Sequence, residues 1–502
     1  MAISNKLDHF EMIVNPAFTE LAESLKPTLL EETVVPVPHC TAPLGKGERI
    51  VLDFGDHHVG YLSFSARSVG SPMDAPAKLR VRYAELPFEL DEDWSSYNGE
   101  VSSSWLQEEI HFLDQLPARI DISRRHAFRY VEILVMDVSP KYQIVLEDIS
   151  CRSVSSADYS RVPAVQIDDP ELAELDRVSL RTMHQCMQSV FEDGPKRDRR
   201  LWLGDLRLQA LGNYATFRNN DLVKRCLYLF AGLTVNEGRV GAALFHEPIL
   251  QVDDTVLFDY SLFFVSVLHD YYQATGDRGT LEALYPTAAH QVELSLRDLD
   301  EHHVVRDRDG WWCFLDWGEG LNKQAGAHAI LIYTIKQLRT MAGWLGMDTA
   351  RWDAEIEILS AGALEWLWDE KQGFFISGAE RQISWASQIW FVLADILPKE
   401  QNAALLERLI RVNPAHRMVT PYLYHHFVDA LLQCGMQAEA LDCLKHYWGE
   451  MIRDGADTFF ETYNPENKEA SPYGGRIINS FCHAWSSTPS YFIRNYFIKE
   501  AE

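Results

Sequence analysis

Residues 191 to 205, FEDGPKRDRRLWLGD, carry four carboxylates, four basic side chains and a tryptophan within fifteen positions. Gly194-Pro195 breaks the element before it, and Gly204-Asp205 reads as a helix entry with Asp205 placed to cap it. Asp193, Asp198 and Asp205 therefore ride on a loop between two helices. Taken alone, such a stretch is equally a solvated turn whose acids and arginines neutralise one another. Four other segments put aromatic rings beside polar groups: DGWWCFLDWGEG (309 to 320), TPYLYHHF (420 to 427), ADTFFETYNP (456 to 465) and FCHAWSSTPSYF (481 to 492). Rings beside carboxylates suit a carbohydrate, whose C–H faces pack on aromatic planes while its hydroxyls take charged or amide partners.

Two textures must position these loops. From about Thr33 to Ser155, stretches such as RIVLDFGDHHVGYLSFSARSVG, KLRVRYAEL and YVEILVMDV alternate apolar and polar residues between Gly, Pro, Asp and Asn breaks, which predicts a β-sandwich. Beyond it, apolar residues recur at three- and four-residue spacing. About twelve helical segments begin near residues 170, 205, 219, 254, 278, 325, 349, 382, 398, 421, 436 and 480. Twelve helices in hairpins predict a closed (α/α)6 barrel. The expected division is a sandwich with a short N-terminal extension over 1–158 and a catalytic barrel over 159–502, with function in the loops at one rim.

The chain has 502 residues, 47% of them hydrophobic, and a formal charge of −27. That length calls for two domains. The negative charge and the lack of clustered Lys and Arg exclude phosphate-backbone binding, so no nucleic-acid partner is expected. The eight cysteines have no CxxC pair, so they read as reduced structural thiols rather than zinc ligands or a disulfide scaffold. No apolar run approaches the ~18 residues of a membrane span, and MAISNKLDHFEM lacks the basic and apolar regions of a secretory signal. These features lead to the expectation of a cytoplasmic protein without metal or cofactor, with a homodimer plausible.

The run from Asp193 to Asp205 resembles the signature of the α-L-rhamnosidases of glycoside hydrolase family 78, Asp-Cys-Pro-x-Arg-Glu-x-x-Gly-Trp-x-Gly-Asp, and aligns with it without a gap. The stretch IVLDFGDHHVGYLSFSARSVGSPMDAPAKLRVRYAE is similar to the family's β-sandwich. LDWGEG, HYWGEMIRDGADTFFE and FCHAWSSTPSYF resemble three later motifs, in the family's order. The resemblance implies that Asp198 is the general acid and Glu461 the general base. It implies further that Asp193, Asp205, Trp202, Asp316, Trp317 and His483 meet the sugar; Arg197, within the same motif, is counted with them. Three positions depart from the pattern: Asp198 stands for Glu, Gly194 for Cys and Leu201 for Gly.

The activity implied by this resemblance is that of an inverting glycoside hydrolase, one that frees terminal α-L-rhamnose from small rhamnosides such as disaccharides or flavonoid glycosides. Inversion requires the two carboxyls to stand roughly 6.5–9.5 Å apart, leaving room for a water. Three arginines flank Asp198, and a cation beside a proton donor works against it, so they are expected to turn away or pair with other acids. A glycosidase of the same fold with another sugar, and a carbohydrate-binding protein with a retired site, stay open from sequence.

Overall fold

The computed structural model describes residues 10–37, 42–308 and 310–498. Cys40 lies outside them, and the other seven cysteines are free thiols.

The sheet-rich domain is built on one 22-residue strand, Arg49–Gly70. Its first half pairs with His126–Asp137, and its second half with Tyr142–Ser155 on one side and Ala118–Asp121 on the other. An irregularity between Asp53 and His58 interrupts the pairing with His126–Asp137, which resumes over His58–Gly60 before Tyr142–Ser155 takes over as partner; a bulge of this kind bends and twists a strand. Leu52 and Phe54 before the bend, and Leu62, Phe64 and Ala66 after it, share one core with Val81, Val131, Ile133 and Leu146.

Six inner helices follow, each touching the next: Leu203–Ala215, Phe258–Thr275, Gln324–Leu345, Trp385–Ala394, Pro421–Gln433 and Pro489–Phe492, the last closing on the first. Their outer partners are Asn220–Gly232, Arg278–Leu296, Ala350–Gly362, Lys399–Val412, Gln437–Cys443 and Pro170–Cys186. Burial separates the two rings. Every residue of Trp385–Ala394 is buried, whereas Lys399–Val412 buries only Asn402, Leu405, Leu406 and Leu409, the single stripe of an amphipathic surface helix.

Two elements differ from the sequence reading. The last helix starts at Pro489 rather than near 480. The amides of the preceding segment are taken laterally: Phe481 N donates to Glu85, His483 N to the Phe459 carbonyl and Ala484 N to the Asp193 carbonyl. With those donors committed elsewhere, only the short 3-10 turn Ala484–Ser486 forms before the α-helix that starts at Pro489, whose fixed φ suits a first turn. The N-terminal extension also does more than precede the sheet. Strand Met12–Val14 pairs with Leu233–Val235, and helix Pro16–Ser24, capped by Asn15, lies on Asn220–Gly232. Buried Arg225 fastens this arm by donating to the Ala22 carbonyl and pairing with Glu23 at 3.0 Å.

Candidate active site

The loop after Pro170–Cys186 is tied back on itself, with Asp193 N donating to the Arg200 carbonyl (3.0 Å) and Asp193 Oδ1 accepting from Arg200 N (3.0 Å). Within that tie, Asp198 and Arg199 both take left-handed backbone conformations, with φ of 62° and 53°. Each costs about 1–3 kcal/mol for a residue with a Cβ and persists only where the surroundings impose it. The surroundings here are ionic. Lys196, fully buried, donates to the Glu89 carboxylate and to the carbonyls of Ile477 (3.1 Å) and Asn479 (2.9 Å). Glu85 accepts the Phe481 amide at 2.6 Å. Both glutamates follow strand Ala77–Ala84, so the sheet domain pins the 193–200 and 477–483 loops together from one side.

Gly194 and Gly204 permit two close approaches. A Cβ on Gly194 would meet Ser480 Oγ at 2.9 Å, and one on Gly204 would sit 2.3 Å from the Tyr260 ring. Gly194, which departs from the motif's cysteine, is thus the residue that lets this loop lie against 480–483. Asp205 is the third residue of helix Leu203–Ala215 rather than its cap; Trp202 occupies the cap position without a side-chain bond.

Seven of the nine candidate residues line one narrow cavity of about 70 Å³: Asp193, Asp198, Trp202, Asp205, Trp317, Glu461 and His483. Leu257, Tyr260, Trp312, Phe314, Tyr473 and Trp485 complete its walls. Phe314 is the hub of this aromatic box, edge-on to Trp317 (5.2 Å) and Tyr260 (5.9 Å) and stacked with Trp485 (5.7 Å).

The other two candidates stand behind the wall. Arg197 donates to the Glu461 carboxylate and to the Ile478 carbonyl (3.2 Å), with its guanidinium 4.2 Å from the Tyr473 ring centroid. Asp316 is consumed by structure: its oxygens accept from Val419 N (2.7 Å), Thr420 N (3.1 Å), Thr420 Oγ1 (2.7 Å) and Trp317 N (2.9 Å). It braces the start of helix Pro421–Gln433 and presents nothing to the cavity.

The carboxyls are shifted in opposite directions. Burial works to protonate Glu461, but chiefly Arg197, with the Tyr473 hydroxyl, overcomes it and holds Glu461 below the ordinary glutamate range. Burial, then Asp198 and Asp205, push Asp193 well up. Burial, then Glu461 and Asp198, do the same to Asp205. His483 is driven down to about 4, first by burial and then by Arg197 against the pull of Glu461, so its ring is neutral near pH 7. Asp205 Oδ1, His483 Nδ1 and Trp317 Nε1 are buried without hydrogen-bond partners among the described residues. Unpaired polar atoms are costly when buried, and a hydroxylated ligand supplies what they lack.

The flanking arginines largely spare Asp198. Arg199 Nε donates to the Pro195 carbonyl (2.8 Å) and Arg200 pairs with Asp253 (3.0 Å). Arg197 Nη1 stands 3.7 Å from Asp198 in a single contact. Asp198 itself sits at the cavity's mouth, its side chain 23% exposed.

Sequence reading did not single out Tyr260 or Tyr473. Tyr260 ends QVDDTVLFDY, inside an otherwise featureless helical pattern, while Tyr473 sits in SPYGG, whose Pro and Gly mark a loop but not its destination. Larger cavities, of about 590 and 430 Å³, lie around Trp385 and Tyr424. Neither contains Asp198, Glu461 or the raised aspartates, so chemistry rather than size selects the small one.

An aromatic pit at the rim of a six-hairpin barrel, with one carboxyl held below its ordinary range and two pushed above theirs, is the arrangement of a glycoside hydrolase. The family model described as the glycosyl hydrolase family 78 α-rhamnosidase N-terminal domain matches residues 31–153, and that of the bacterial α-L-rhamnosidase six-hairpin glycosidase domain matches 160–497. The chain belongs to glycoside hydrolase family 78, with the α-rhamnosidase activity of that family. A solved rhamnosidase from Klebsiella oxytoca with rhamnose bound is 46% identical, with a TM-score of 0.94 over 97% of this chain and 99% of that one. The family 78 rhamnosidase of Bacillus sp. GL1 (21% identity, TM-score 0.77) shares the fold over 92% of this chain and 48% of its own. The Streptomyces avermitilis α-L-rhamnosidase complexed with L-rhamnose (19%, 0.67) does so over 94% and 44%. No curated protein matches the chain.

Proposed function

We propose that the protein hydrolyses terminal α-L-rhamnosides of small glycosides with inversion of the anomeric centre. L-Rhamnose occupies the aromatic pit, its hydroxyls meeting Asp193, Asp205, His483 and Trp317. Asp198 passes its proton to the glycosidic oxygen as the C–O bond breaks, and Glu461 takes a proton from the water that attacks the opposite face of the anomeric carbon. The observation that carries this reading is the Arg197 guanidinium bonded to the Glu461 carboxylate, while Arg199 and Arg200 are engaged away from Asp198. It favours the ionised Glu461 that a base requires. The rhamnose bound to the Klebsiella oxytoca relative supports the choice of sugar. A cytoplasmic location and a homodimer accompany this reading, checked by cell fractionation and sedimentation velocity.

The test is hydrolysis of p-nitrophenyl α-L-rhamnopyranoside by wild type, Asp198→Asn and Glu461→Gln, with the first anomer followed by NMR. The expected result is the β-anomer first and a loss of at least ~100-fold in each variant. Appearance of the α-anomer first rejects inversion.

One observation favours a second donor. Asp205 is buried and, through burial and the charges of Glu461 and Asp198, retains its proton well above the ordinary range. The two assignments separate by leaving group. Loss of the true donor is largely relieved when p-nitrophenol is replaced by the better leaving group 2,4-dinitrophenol, whereas loss of a sugar-binding carboxyl is not.

A further inference from the structure

Asp198 lines two cavities, the narrow pit and a neighbour of about 370 Å³, which is within the usual size of small-ligand pockets. The neighbour lies between the domains. Tyr61, Trp105 and Arg125 of the sheet domain face Gln188, Arg199 and Arg200 of the barrel. A proton donor stands between the sugar being cleaved and the group that leaves, so the second cavity occupies the departing side of Asp198.

Its polar groups are unevenly matched. Arg125 donates from one nitrogen to both oxygens of Glu192 (2.8 Å each), and Arg200 pairs with Asp253. Glu192 is engaged by Arg125 and by His246 at 3.6 Å, and Glu247, at the outer lip, by Lys26 at 3.9 Å. Arg199 has no carboxylate within ion-pair distance among the described residues. Its guanidinium lies 5.9 Å from the Trp105 ring centroid. Burial, then the repulsion of Arg125, bring Arg199 down to about 10, which leaves it cationic at neutral pH. Two further atoms are buried and without a partner among the described residues, the acceptor Gln188 Oε1 and the donor Arg200 Nε; Gln188 is only 1% exposed. An unneutralised guanidinium half-buried in a chain of charge −27 is costly unless a ligand anion completes it.

We propose that this interdomain cavity is the leaving-group subsite and that it takes an acidic sugar, a uronic acid whose carboxylate pairs with Arg199 and whose ring hydroxyls meet Gln188 and the walls of Tyr61 and Trp105. The proposal rests on the rhamnosidase reading with Asp198 at the glycosidic oxygen. Arg199 is then a specificity residue, and the left-handed turn at 198–199 serves two purposes, sending consecutive side chains to the proton-transfer position and to the leaving group.

The experiment compares three substrates at pH 7: an α-L-rhamnosyl uronate disaccharide, its methyl ester, which has the same shape without the charge, and p-nitrophenyl α-L-rhamnopyranoside. Wild type is expected to favour the free acid over the ester by at least ~10-fold in kcat/KM, in line with one charge-assisted pair. That ratio should fall toward one in Arg199→Gln and persist in Arg199→Lys, and in wild type it should shrink as salt is raised. Because it is a ratio within one enzyme, a general loss of activity in a variant does not move it. Equal use of acid and ester by wild type overturns the proposal, as does a preference that survives Arg199→Gln. Hydrolysis of the p-nitrophenyl glycoside without an acid preference leaves the rhamnosidase reading standing and removes only this one. Failure on all three substrates removes both.

Discussion

Arg197 donates to the Glu461 carboxylate from the position immediately before Asp198 in the sequence. The loop that carries one carboxyl of the pair therefore sets the charge state of the other. Arg197 reaches Glu461 because Lys196, one residue earlier, is locked under the sheet domain by Glu89 and two carbonyls. Glu461, Arg197 and Lys196 form one chain of contacts with the sheet domain.

Replacing Arg197 with Met removes the attraction that opposes burial at Glu461. The carboxyl's pKa then rises, so the acid limb of the kcat/KM profile moves to higher pH, and activity near pH 7 falls at least ~10-fold. A pH–rate profile of the variant reads both; an unmoved acid limb assigns that limb to another group.

Asp316→Asn distinguishes a brace from a sugar ligand. An amide nitrogen cannot accept the bonds now made from Val419 or Thr420, so stability should fall by about 1–3 kcal/mol while KM for the p-nitrophenyl glycoside stays within ~3-fold of wild type. Thermal unfolding and steady-state kinetics on one preparation decide it, and a large rise in KM without a change in Tm returns Asp316 to the sugar site.

Gly204→Ala places a methyl group 2.3 Å from the Tyr260 ring. Because that ring is part of the aromatic box, the overpacking should cost about 1–3 kcal/mol and loosen sugar binding together with stability. A parallel drop in Tm and rise in KM is the expected signature.

Glu89→Gln tests the sheet domain's part in catalysis. It removes the closest anion from the buried Lys196, leaving Glu85 at 3.8 Å. Breaking a buried pair costs about 3–5 kcal/mol, and kcat should fall although the residue is remote from the sugar, because the strained turn at Asp198 loses its anchor. Unchanged kcat in a folded variant would make the domain a passive support.

Much of this arrangement is legible in the sequence for definite reasons. The 3.6-residue periodicity marks the barrel helices because each outer helix has a polar face to contrast with its buried stripe. Trp202, Trp317 and His483 are found because their motifs are local. Asp316 shares a motif with Trp317, yet one side chain faces the cavity and its neighbour turns back to the protein, a distinction set by which amides lie near it rather than by residue type. The late start of the last helix is hidden for a similar reason, since the acceptors that take its amides, Glu85, Phe459 and Asp193, are far away along the chain. Tyr473 is silent in the sequence because its partner Glu461 is reached only when the 471–479 loop folds over it.

The N-terminal arm bears on how the molecule can move. From residue 12 to residue 24 the chain lies on the outer surface of the barrel, then leaves to build the sheet domain and returns to begin helix Pro170–Cys186. The sheet domain is thereby moored at both ends, once through the arm that Arg225 clasps and once through the continuing chain. A body held by two moorings resists swinging about either, and the gap between the domains carries Leu29 from the outgoing segment on its wall. If that gap receives the leaving group as proposed, discrimination there becomes a matter of fit to an aperture set when the chain folds.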